Sequence, residues 1–338
     1  MTRNAESGAA KTPDAPPGSA AAQTAAAHGM NVVARSQGQL VRRRFFRHKG
    51  ALAGMVLFFL VVVLAVTSIG AGFIPGWWDK EPTTTGSVVD GGRPTLSLLP
   101  EFLGGGGVHL GEHPFGQDNV GRDYFALTMR GAQVSLLIAV IVGLVATLVG
   151  TVIGALAGYF RGWTESVLMR VTDVVIAVPT LLLAGLIGVI VAGKGVLLFA
   201  VFLGLCMWTQ IARLVRGEVL SLREKEYVEA ARSVGTSAGR IIFKHVLPNT
   251  VGIIIVSATL TIAGAVLTES ALSFLNLGVR PPDTSLGRLI TDYRTALGTR
   301  PWLFYWPGGF IIAIALSVNF IGDGLRDAFD PRQTRVRD

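Results

Sequence analysis

The chain has 338 residues, half of them hydrophobic and only 15% charged, with a mean hydropathy of +0.52 and a formal net charge of +8. A soluble domain carries about a quarter charged residues; here the deficit lies in long uncharged blocks, which excludes one water-facing globule and points to lipid-facing helices. The basic residues sit at the ends of those blocks rather than on an aromatic-laced surface, an arrangement that fits orientation in a lipid bilayer and no nucleic-acid role.

Residues 1–40 are rich in Ala, Ser, Gly, Pro and Gln with little hydrophobic periodicity, and read as a disordered cytoplasmic tail. The first apolar block begins only near Gly50 and is too long for a signal-peptide core, so it stays in place as an anchor. Residues 41–74 are therefore a basic anchor, "RRRFFRHK" at 42–49, followed by a first span at about 50–74. A loop at 75–134, with four glycines at 104–107, leads to the second span at 135–159. That span ends in "GTVIGALAGYF" (150–160), whose small residues permit close helix contact. The third span, 171–192, carries Asp173 near its start and Pro179, which loosens a backbone hydrogen bond and suits a bundle that must rock. Only "AGKG" (192–195) separates it from the fourth, 196–214, so the two form a tight helical hairpin. Cys206 is the single cysteine, which excludes an intrachain disulfide and any multi-cysteine metal site and reads as a small packing residue.

Between the fourth and fifth spans lies a polar segment, 215–249, that contains "EYVEAARSVGTSAGRIIFKHVLPN" (226–249). Tyr227, Ala230, Ala231 and Val234 recur at helical spacing as one apolar stripe, with Glu226, Glu229, Arg232 and Ser233 on the opposite side. Gly235 suits the left-handed residue that ends a helix, and Ser237 suits the cap of a second one. The second helix runs through Arg240, Ile241, Ile242, Lys244 and His245 until Leu247-Pro248 stops it. Periodicity leaves two readings open. The hairpin lies on the bilayer or its own bundle, or it protrudes to meet a cytoplasmic partner.

The fifth span, 251–275, holds Glu269 toward its outer part, where an acidic group could meet a peptide amino terminus or a partner helix. A second outer loop at 276–302 precedes the sixth span, 303–324, which "YWPGGF" weakens at its start and Asp323 closes; residues 325–338 form a cytoplasmic tail. With the N terminus inside, 21 of the 30 Lys and Arg residues fall on the inner side and nine outside. The positive-inside rule then places both termini in the cytoplasm. The expected architecture is an all-α integral membrane protein of six spans, with the core at 135–324.

No catalytic constellation emerges. The phosphate-loop pattern is absent, since "AGKG" lacks its spacing, its Ser/Thr and its preceding strand. No metal-ligand cluster is visible, and His113 lies outside while His245 lies inside. The chain is not an enzyme, and energy for pumping comes from another chain or from an ion gradient. An ion-gradient carrier would display charges within its spans, whereas Asp173, Glu269 and Asp323 lie away from the midplane as helix-end or interface residues. Such a carrier would also show an inverted repeat and broken helices around a midplane site, and the sequence displays neither.

The segment 226–249 resembles the EAA loop of ABC-importer permeases: Glu229, Ala230 and Ala231, three residues, Gly235, nine residues, then His245 at the hydrophobic position, and Leu247 with Pro248. "HVLPN" is similar to the peptide and nickel branch of that family. "HPFGQDNVGRDYFALTMRGAQVSLLIAV" (113–140) is similar to its H-P-x-G-T-D-x-x-G-R-D entry to the second span, with Gln117 in place of Thr. "ESALSFLNLGVRPPDTSLG" (269–287) is similar to the segment leaving the fifth span. The resemblance runs from about residue 35 to the C terminus, and the Gly-rich stretch at 75–108 is longer than it accounts for.

It implies a type I ABC importer permease, a C-type subunit of the dipeptide/oligopeptide/nickel group. Its implied partners are a second homologous permease, cytoplasmic ABC ATPase subunits that hold ATP and Mg, and an extracytoplasmic solute-binding protein. The EAA loop, Tyr227 included, would seat in a groove of an ATPase subunit. The implied cargo is a dipeptide or oligopeptide; nickel chelates, glutathione and other small solutes are carried by similar machinery.

Overall fold

The computed structural model describes residues 37–97, 107 and 109–330. The tail expected at 1–40 lies outside them up to residue 36, as do three of the four glycines at 104–107 and residues 331–338. The apolar blocks form helices, and the one sheet among the described residues is an antiparallel ribbon of β1 (Gly70–Ala71) and β2 (Ile74–Pro75). Around it the order is α1 (Gln37–Phe45), α2 (Lys49–Ser68), α3 (Tyr124–Phe160), α4 (Gly162–Ala177), α5 (Thr180–Ile190), α6 (Val196–Met207) and α7 (Thr209–Arg223). Then come α8 (Glu226–Ser233), α9 (Ala238–Ile241), α10 (Leu247–Phe274), α11 (Leu286–Tyr293) and α12 (Trp302–Phe329).

Among the described residues, four helices are long and apolar enough to cross a membrane: α2, α3, the 37-residue run Ala238–Phe274, and α12. The pairs α4–α5 and α6–α7 pass the same test jointly but bend by 85° and 46°, so the count reaches six if each bent pair is one span. Broken helices are thus present where the sequence displays none. The first break follows from Pro179, which has no N–H to donate and forces the preceding Val178 into extended backbone (φ −87°, ψ 125°). The second falls at Trp208, with no proline or glycine at the joint.

Boundaries also differ from expectation. The first span ends at Ser68 rather than near residue 74, and the chain from Gly70 to Pro75 turns back on itself as the β ribbon. α3 begins at Tyr124 rather than near residue 135, because Asp123 caps it: its Oδ1 accepts from the Ala126 N–H at 2.7 Å. The polar residues Arg130 and Gln133 are carried inside that helix, and the loop before it ends accordingly at 123. Leu247-Pro248 does not stop the second arm of the hairpin. Residues Ile242–Val246 form a π-helical turn, closed by the Leu247 N–H on the Ile242 carbonyl, and Pro248 enters the first turn of α10 without breaking the rod. The wider turn removes the clash of the proline ring with the carbonyl four residues back.

α3 is the central helix and packs against α7, α6 and α10, while α12 lies between α2 and α10. The small residues at the end of α3 make the close helix contact that their size permits. Gly150, Gly154 and Gly158 face α7, and a Cβ added at 154 would stand 2.5 Å from the Ala212 carbonyl oxygen. The two helices therefore meet backbone to backbone. One core cluster, around Tyr124, Ile138, Leu272, Leu286, Leu303 and Ile314, fills the end of the bundle where α3 starts. A second, with Tyr159, Trp208, Val219, Val228, Ile241 and Val246, fills the end where α3 finishes and the hairpin sits. A 37-residue helix separates those ends by about 55 Å.

Candidate functional site

At the hairpin end, α8 stops in a left-handed turn. The Gly235 N–H bonds the Arg232 carbonyl at 3.0 Å and the Thr236 N–H reaches the Ala231 carbonyl at 3.1 Å, with Gly235 at φ +78°. This is the paired closure that a C-terminal glycine permits. Ser237 stands at the N-cap of α9, but its side chain makes no capping bond.

The hairpin is clamped from behind. Val228 is fully buried against the second core cluster. The Arg223 guanidinium donates to the Tyr159 carbonyl at 2.6 Å, and Arg223 and Arg232 both lie 5.9 Å from the Tyr159 ring centroid. Arg161 pairs with Glu224 at 2.7 Å, and Arg216 pairs with Glu165 on α4.

The apolar stripe read from the sequence faces the other way. Tyr227 and Val234 are 44% and 81% exposed, Ala230 is exposed, Ala231 is half-buried, and Phe243 from the π turn joins them at 74%. The inward anchor is Val228, which the periodicity reading passed over. Glu229 is exposed and makes no ion pair among the described residues. His245 is half-buried, its carbonyl accepting from Asn249 Nδ2 at 2.6 Å; Leu247 is half-buried and Pro248 exposed.

The remaining candidates are dispersed. Asp173 on α4 pairs with Arg213 on α7 at 2.5 Å. Pro179 marks the 85° break. Asp323 is exposed on α12 without an ion pair among the described residues. Glu269 is fully buried at the opposite end from the hairpin, where its carboxylate accepts from Ser285 Oγ at 2.6 Å, Ser273 Oγ at 2.7 Å and Ser135 Oγ at 3.1 Å. Ser135 Oγ also accepts from the Leu286 N–H at 3.1 Å, so α3, α10 and the start of α11 are tied through one carboxylate. The sequence reading named Glu269 and missed all three serines. Ser135 and Ser273 sit within apolar helices, where a hydroxyl carries no periodic signature, and Ser285 is the N-cap of the short helix α11.

The segment at 113–123 folds as a staple beneath α3. His113 Nδ1 lies 2.7 Å from Asp123 Oδ2, and Trp78 Nε1 donates to Asp123 Oδ1 at 3.1 Å. Asp118 accepts from Arg122 Nε at 2.6 Å and from the Tyr293 hydroxyl at 2.8 Å. Burial first, then the charge of Asp118 and its hydrogen bond, push the Tyr293 hydroxyl well above the ordinary tyrosine value. Gln117 accepts from the Val89 N–H at 2.8 Å and donates to the Ser87 carbonyl at 3.1 Å, so it holds the 86–92 stretch to the bundle.

This helical architecture is that of an ABC-transporter permease. It matches a chain of the inward-facing MetNI methionine ABC transporter with a TM-score of 0.50 and 20% identity, over 60% of this chain and 97% of that one. Residues 150–335 match the model of the binding-protein-dependent transport system inner membrane component, and residues 36–79 match the N-terminal transmembrane domain of oligopeptide transport permease C. The chain is 34% identical over 289 residues to the oligopeptide transport system permease protein OppC of Bacillus subtilis, covering 86% of this chain and 88% of that one. It is 36% identical over 303 residues to the OppC protein of Mycobacterium tuberculosis, covering 89% and 97%. The chain belongs to the binding-protein-dependent transport permease family, and it is a multi-pass inner-membrane protein.

Proposed function

We propose that this chain is one permease subunit of an ATP-driven oligopeptide importer and that the hairpin at 226–248 is its coupling element. The single observation behind the coupling role is an apolar stripe, Tyr227, Val234 and Phe243, left uncovered by a hairpin whose other face is clamped to the bundle. Exposed apolar side chains held in a fixed array mark a contact for another protein. The peptide cargo is carried over from the names of the relatives.

On this reading both termini and the hairpin are cytoplasmic. A second permease completes the pathway, a solute-binding protein delivers cargo on the outer face, and ATP with Mg belongs to the ATPase chains. Closure of the ATPase pair shifts the population between inward- and outward-facing states through differential contacts, with no bond made or broken by this chain. The test is purification of the tagged chain from native membranes with its ATPase, followed by ATP-dependent peptide uptake in proteoliposomes. Val234→Glu should release the ATPase or uncouple hydrolysis from uptake while the permease itself stays folded. Unchanged co-elution and uptake would remove the hairpin from the coupling role.

A further inference from the structure

Both broken spans open on one cavity. A space of about 340 Å³ lies where the α4–α5 and α6–α7 joints meet α10, and Thr180, Cys206, Thr209, Gln210, Ser257 and Thr261 contribute to its wall. That volume is in the range of small-ligand pockets, roughly 300–1,000 Å³. The depth is mid-span: the joints have 16 and 11 helical residues on either side in one pair and 12 and 15 in the other, and Ser257 and Thr261 are near the middle of the 28-residue α10.

The wall is rich in unused donors. After the breaks, the first backbone bonds run from Leu182 and Leu183 to the Pro179 carbonyl and from Ala212 to the Trp208 carbonyl. The N–H groups of Thr180, Leu181, Thr209, Gln210 and Ile211 are thus left without a backbone acceptor among the described residues. At membrane depth such groups persist only where protein or a wet cavity covers them.

Two side chains add to them independently. Thr209 and Ser257 are only 6% and 7% exposed, both line the cavity, and neither hydroxyl has a hydrogen-bond partner among the described residues. The Thr261 hydroxyl, by contrast, is engaged with the Ser257 carbonyl at 2.9 Å. Among the described residues no acidic side chain lines the space, and the charged pair on the flanking helices, Asp173 with Arg213, is self-neutralised. Two helix N-termini, each with a partial positive charge, therefore converge with two open hydroxyls and the Gln210 amide on a site that offers donors and no carboxylate.

We infer that this cavity receives the C-terminal carboxylate of the cargo peptide, with Thr209 and Ser257 as side-chain donors and the first N–H groups of α5 and α7 supplying the rest. This rests on the peptide-importer reading above. Transient hydrogen bonds from neutral donors suit a pathway that must release what it holds, whereas a fixed Lys or Arg would retain the anion.

Cys206, the single cysteine of the chain, lines the same cavity and serves as reporter. In the complete transporter in nanodiscs, its modification by methyl methanethiosulfonate is followed by the mass of this chain, with tri-alanine or tri-alanine amide added. The free acid should protect Cys206 at about tenfold lower concentration than the amide, the ratio expected for one charge-assisted hydrogen bond. Thr209→Val with Ser257→Ala should abolish that preference, and Thr209→Ser should keep it, which separates hydroxyl chemistry from packing. Uptake by the same complex with the cavity protected equally by acid and amide, or with the preference intact in the double variant, overturns the inference and leaves the importer reading standing. Failure of the wild-type complex to take up tri-, tetra- or penta-alanine with ATP overturns both.

Discussion

Replacement of Glu269 tests the physical account of the bundle most directly. Its carboxylate accepts three serine hydroxyls at 2.6, 2.7 and 3.1 Å, and one of those serines also holds the first N–H of α11. A buried hydrogen bond contributes about 1 kcal/mol net, and about 1.5–3 when one partner is charged. Glu269→Ala therefore removes about 3–5 kcal/mol and leaves three hydroxyls facing a void. At about 2 °C per kcal/mol for a protein of this size, the purified permease should lose roughly 6–10 °C of apparent Tm. Glu269→Gln keeps the shape and one oxygen but turns one acceptor into a donor facing Ser135, so a loss of about 1–2 kcal/mol is expected. The assay is fluorescence-detected size exclusion after stepwise heating, with Ser135→Ala, Ser273→Ala and Ser285→Ala for double-mutant cycles. Coupling of Glu269 to each serine near zero, or an Ala variant within about 2 °C of wild type, would refute the tie.

The other predictions concern separate contacts. Val234→Glu should cut ATPase co-purification by at least about tenfold, since it places a charge in an apolar contact, without lowering the melting temperature of the isolated chain. Gly324→Leu should destabilise the permease by several kcal/mol, because even a Cβ at 324 would overlap the Ala51 side chain where α12 meets α2; Gly308→Ala, whose added Cβ meets nothing within 4 Å, is the control beside Gly324→Ala. Gln117→Leu should leave the bundle folded yet speed amide exchange across residues 86–92 about 30-fold, as expected for about 2 kcal/mol of lost anchoring.

Much of the architecture was legible because membrane helices advertise themselves by length and apolarity. The second half of α3, α10 and α12 fall near where the hydropathy puts them, α2 stops at Ser68 rather than near 74, and the small glycines at 150, 154 and 158 meet α7 closely. The start of α3 was hidden because "YFALTMRGAQ" mixes Arg130 and Gln133 into a helix that a window average rejects, although Asp123 stood ready as its cap. The bend at Pro179 had a visible cause, but its size did not. The joint at Trp208 had none, since "LCMWTQIARL" contains no breaker and the break is a tertiary outcome. In the hairpin the glycine turn was readable from Gly235 alone, whereas the choice of inner face was not. Tyr227 and Val234 look more hydrophobic than a lone Val228, and only the surrounding cluster of Tyr159, Ile241 and Val246 decides which of them is covered.

The π turn at Ile242–Val246 has a mechanical consequence. It joins α9 to α10 so that residues Ala238–Phe274 form one uninterrupted helical run, with Phe243 near its outer tip and Ser257 on the cavity wall. From Ala238 to Ser257 is about 28 Å along that axis. A helix resists bending far better than a loop, so a push on the tip is felt at the wall as a tilt of the whole shaft, with no slack hinge between to absorb the stroke.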